Sequence, residues 1–88
     1  MKYNIQSLIK AWENEPKSAD ENADFLAITD PYILAGAVLA AHSNDYVHAL
    51  VVMRYVVNVA QVNRKNAQYK LCKDALAILE PLFLTPLN

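Results

Sequence analysis

The chain has 88 residues, which suffices for one domain over residues 1–88 and not for two. Apolar and aromatic residues make up 55% of it, and a single glycine with no Asn-Gly or Asp-Gly pair argues against a hairpin-rich β domain. The net charge of −1 and a pI near 6.0 leave the molecule without a strong overall field, against the basic balance usual in nucleic-acid-binding domains.

Helix is favoured throughout by the abundance of alanine and leucine. The first helix is expected over about Asn4 to Asn14, where Ile5, Leu8, Ile9 and Trp12 recur at helical spacing and Pro16 ends the pattern. Ser18 stands three residues before Glu21, a capping-box spacing that predicts a short helix from about Ala19 to Ile28 burying Phe25 and Ile28. Asp30-Pro31 reads as a cap followed by proline at the first helical position, opening a third helix to His42. That helix has no polar face before His42, which predicts burial on all sides. Its small residues at four-residue spacing, Gly36 with Ala40 and Ala37 with Ala41, predict a seam for a neighbouring backbone.

Ser43-Asn44-Asp45 is a tight connection into a fourth helix, about Asp45 to Asn63. Its polar residues Arg54, Asn58 and Gln61 fall within an arc of roughly 60° on a helical wheel. The rest is almost all Tyr, Val, Leu or Met. This places the fourth helix at the centre of the fold. Asn63 to Asn66 breaks the pattern, and a fifth helix follows from about Ala67 to Glu80, with Leu71, Cys72, Ala75, Ile78 and Leu79 inward. Pro81 kinks or ends it, and the apolar tail from Leu82 to Leu87 must pack on the domain or on a partner. The expected fold is all-α, a compact bundle of about five helices with its central helix near residues 45–63.

Chemistry is sparse. His42, Asp45 and His48 are competent ligand types, but their spacing matches no established metal motif. Cys72 lies on an apolar face, where a thiol is inert. As the sole cysteine it cannot form an intrachain disulfide, and it fits a reducing compartment. The acidic residues Glu13, Glu15, Asp20, Glu21 and Asp24 suit solvation and the helix dipole better than acid–base work. No glycine-rich phosphate loop is present. No enzyme activity, metal or cofactor is expected.

Two surfaces remain. Arg64, Lys65, Lys70 and Lys73, interleaved with Asn63, Asn66, Gln68 and Tyr69, form the best candidate for contact with nucleic acid. The better-supported partner is another protein, including a second copy of this chain. A chain this short buries only about 60% of the surface its unfolded form exposes, so its apolar content exceeds what folding alone hides. Arg54, Asn58 and Gln61, with Phe83 and Leu84 as apolar anchors, are the candidate partner-binding residues.

Charge is also uneven. Residues 1–45 carry three lysines against seven carboxylates, net −4, and residues 46–88 carry five basic groups against two acidic ones, net +3. Such a division can orient a partner or cancel within the fold. No stretch combines a basic start with a long apolar segment and a cleavage site, and the longest uncharged apolar run, Tyr32 to Ala41, is half a bilayer span. The expectation is a small cytoplasmic protein-binding module of adaptor or inhibitor type, a kind found among phages and mobile elements.

Overall fold

A computed structural model describes residues 4–84, the side chain of Leu84 excepted. Its elements are α1 (Ile5–Glu13), α2 (Glu21–Leu26), α3 (Pro31–Ala41), α4 (Tyr46–Ala60), a single 3₁₀ turn (Gln61–Asn63) and α5 (Ala67–Leu84), with no strand among the described residues. The all-α bundle implied by the sequence is the observed fold.

Local chemistry sets the helix starts. Asn4 and Ser7 make a reciprocal capping box at α1, the Ser7 N–H donating to Asn4 Oδ1 at 2.8 Å and the Asn4 N–H to Ser7 Oγ at 3.1 Å. At α2 the expected Ser18–Glu21 box is not formed. Asp20 is the cap instead, accepting from the N–H groups of Asn22 and Ala23, and the helix is correspondingly shorter. Ser18 is occupied elsewhere, its N–H donating to both carboxylate oxygens of Asp24 at 2.9 and 3.0 Å. Asp30 caps α3 through the Tyr32 N–H with Pro31 behind it, as the sequence implies.

The centre of the bundle is α3, not α4. Six consecutive residues of α3, Leu34 to Leu39, are buried, whereas only Ala49, Leu50 and Met53 are buried on α4. The reason is side-chain size. Gly36 lets α1 approach so closely that a Cβ there would lie 1.9 Å from the Leu8 carbonyl oxygen. Ala35 and Ala37, 0% and 2% exposed, keep the rest of the cylinder thin. α3 therefore packs on α1, on α5 and on the near side of α4. Of the small residues expected to form a seam, Gly36 does so against α1, while Ala41 is exposed.

The core joins Leu8 of α1, Ile28 after α2, the α3 residues, Ala49, Leu50 and Met53 of α4, and Ala75 and Leu79 of α5. Ile28 is buried as expected, but Phe25 is 38% exposed and meets Trp12 edge-to-face, ring centroids 6.4 Å apart. Lys17 lies over the Trp12 ring and donates to the carbonyl oxygens of Trp12 and Glu15. No polar or charged side chain is buried among the described residues.

α5 runs on through Pro81 to Leu84. Proline here removes one helical hydrogen bond. Leu82 and Phe83, beyond it in the chain, pack against the core, and that apolar burial keeps the last turn helical.

Candidate functional site

α4 divides lengthwise. Its inner half carries the buried Ala49, Leu50 and Met53 with the half-buried Tyr46, Val52, Val56, Val57 and Ala60. Cover comes from α5 and, less extensively, α3. No described element lies over the outer half. There, at steps of four and then three residues, stand Val47, Val51, Tyr55, Val59 and, on the 3₁₀ turn, Val62. Their exposures are 56%, 52%, 69%, 55% and 90%. On a wheel at 100° per residue they occupy an arc of about 120°. Scattered surface valines need no explanation, but a contiguous row along one helix does.

On the same wheel Arg54 and Gln61 border this row on one side, while Asn58 falls within it between Val47 and Val51; all three are exposed polar groups of a largely apolar face. Arg54 already has a carboxylate partner within the chain. Its Nη2 and Nε donate to a single oxygen of Glu80 on α5, at 3.0 and 3.2 Å. The pair stays roughly half exposed and ties α4 to α5, whereas the side chains of Asn58 and Gln61 make no hydrogen bond among the described residues. Phe83 is half-buried against the core. The side chain of Leu84 and the tail from Thr85 to Leu87 lie outside the described residues.

The basic residues are all exposed. Arg64 and Lys65 sit in the turn after α4, and neither forms an ion pair among the described residues. Lys70 pairs with Asp74 at 3.3 Å, and Lys73 lies over the Tyr69 ring, 5.9 Å from its centroid. The two ion pairs among the described residues both fall in the C-terminal half, so the acidic first half is not neutralised by the basic second half through direct pairing.

At the α3–α4 turn, His42 and His48 meet edge-to-face with centroids 4.9 Å apart, and His42 Nδ1 lies 2.9 Å from the Val38 carbonyl oxygen. They line a hollow of about 210 Å³ with Ser43, Asn44 and Asp45. Among the described residues no group of three or more His, Cys, Asp or Glu side chains is placed to hold a metal ion. Cys72 is half-buried on α5, and that desolvation pushes its thiol pKa upward, away from the reactive thiolate.

Sequence reasoning missed the valine row because every residue in it looks like core. The available signal was the spacing 47, 51, 55, 59, 62, which coexists with a second apolar row on the opposite side of the same helix. Compared with known proteins, the chain matches no family model, no curated protein and no solved structure. No helix among the described residues is long and apolar enough to cross a membrane.

Proposed function

We propose that the chain is a small non-enzymatic protein-binding module, of adaptor or inhibitor type, that docks its partner on the outer face of α4. The observation that carries this reading is the row Val47, Val51, Tyr55, Val59 and Val62, five large apolar side chains more than half exposed along one side of one helix. Its composition is that of an interface: a mainly apolar centre that includes Asn58, an aromatic ring in the middle, and a polar rim from Gln61 and the Arg54–Glu80 pair. Tyr55 supplies a large contact area at little entropic cost, having two side-chain torsions to fix. The lone, half-buried thiol of Cys72 suits a reducing, cytoplasmic setting.

A photo-crosslinking side chain placed at Tyr55 in the full chain, inside its native host, tests this. Adducts to protein should form from position 55 and not from position 13, an exposed site on α1. Equal labelling from both positions, or none from position 55, would refute the docking role of α4.

A further inference from the structure

The docking face has an internal symmetry that points to its occupant. Tyr55 stands at its middle, Val51 and Val59 each four residues away, and Val47 and Val62 eight and seven residues away. Beyond the valines, Asp45 lies ten residues before Tyr55, and Arg64 and Lys65 lie nine and ten residues after it. All three of these charged residues are exposed and none forms an ion pair among the described residues.

Resting on the docking reading above, we infer that the occupant of this face is a second copy of the chain, its α4 antiparallel to the first about a two-fold axis at Tyr55. A two-fold contact is self-complementary, each residue meeting the one reflected through the axis. Antiparallel pairing lays Val51 against Val59 of the second copy, Val47 near its Val62, and Tyr55 against Tyr55. The two rings can then stack offset or edge-to-face. At both ends Asp45 comes opposite Arg64 and Lys65. The N-terminal end of each helix dipole meets the C-terminal end of the other. A parallel pair would do the reverse, setting Asp45 on Asp45 and the basic turn on itself, which costs energy.

The alternative occupants fit less well. The only charged side chain along α4 is Arg54, which is engaged by Glu80. A strongly charged partner would have to leave its own ions desolvated against valine. A second copy brings a matching uncharged row.

The row is about 22 Å long at 1.5 Å per residue. A strip of that length and one helix width, about 10–12 Å, offers roughly 250 Å² per partner, well below the roughly 800 Å² of a standard interface, so the dimer belongs at the weak end, micromolar or above. Sedimentation equilibrium of the full chain should show a monomer–dimer exchange there. Tyr55→Glu should weaken it by about 30-fold or more, the effect of removing a central anchor. Arg64→Glu with Lys65→Glu should weaken it through like-charge contact. Asp45→Asn, which keeps a competent cap on α4, should recover part of that loss. Register is read by cysteines introduced singly at Val51 and Val59 in a Cys72→Ala background. Mixing and oxidation should give the 51–59 disulfide in preference to 51–51 and 59–59.

Preferential 51–51 and 59–59 bridging would overturn the antiparallel arrangement. A strict monomer at hundreds of micromolar would overturn the second copy as occupant, and thermal unfolding of Tyr55→Glu then decides the parent reading. An unchanged melting temperature leaves α4 an open face for another protein. A melt many degrees lower shows the face to be covered by the chain itself, and both readings fall.

Discussion

Replacing Gly36 with alanine probes the contact that sets the bundle's geometry. The added Cβ would lie 1.9 Å from the Leu8 carbonyl oxygen and 2.6 Å from its carbon, where ordinary van der Waals contact begins near 3.4 Å. Both obstacles are backbone, so no rotamer change relieves them, and α1 must withdraw by about 1.5 Å. That movement loosens Leu8, which is 1% exposed, from its place in the core. Overpacking of this kind costs about 3 kcal/mol, the upper end of the usual range. Alanine's better helix propensity returns about 1 kcal/mol. The net loss is about 2 kcal/mol, a sizeable part of the roughly 4–13 kcal/mol expected for a chain of this length. It corresponds to a fall in Tm of about 8–16 °C. Thermal unfolding followed by far-ultraviolet circular dichroism measures it. A Gly36→Ala protein as stable as the wild type, or more so, would refute the close α1–α3 contact.

Other substitutions test the remaining structural claims. Pro81→Ala should stabilise the chain by about 1 kcal/mol in urea denaturation, because α5 already continues past the proline and gains the missing hydrogen bond; a loss would mean the last turn depends on the proline ring. Cys72 should react with a disulfide reagent more slowly than free cysteine at neutral pH and accelerate as pH rises, since burial raises its pKa; equal rates would contradict that burial. The Asp24 carboxyl is held below its ordinary pKa of 3.8 by hydrogen bonds from Ser18 and by the nearby Lys17 charge. A depressed carboxylate contributes stability above its unfolded pKa of about 3.9 and loses it as pH falls through the lower folded value. The stability difference between wild type and Asp24→Asn should therefore narrow as the pH is taken down from about 4, and a constant difference would contradict the Ser18 contacts.

Much of the architecture was legible in the residues. Asp30-Pro31 and the absence of any polar residue between Tyr32 and Ala41 defined α3, its start and its burial. Ser18 misled because two caps compete within three residues, and Asp20 offers the stronger acceptor. Pro81 left two outcomes open, a kink or an end, and the helix does not end there: Leu82 and Phe83 have core to pack on, and the helix follows them. The valine row of α4 was the most consequential gap. A helical wheel shows which residues share a side, but not how many neighbours the fold will supply. The narrow waist at Gly36, Ala35 and Ala37 drew α1 and α5 onto α3 and left α4 covered along one side only. With the same residues on a helix between two others, Val47, Val51, Tyr55, Val59 and Val62 would have been core.

In the isolated chain the valine row of α4 is open to water. Solvent paramagnetic relaxation of the methyl signals in a dilute, monomeric sample reads this directly. The methyls of Val47, Val51, Val59 and Val62 should relax as strongly as those of Leu26, itself 75% exposed, and far more than those of Leu34 and Val38, each 5% exposed. Valine signals on α4 as protected as those of Leu34 would contradict it.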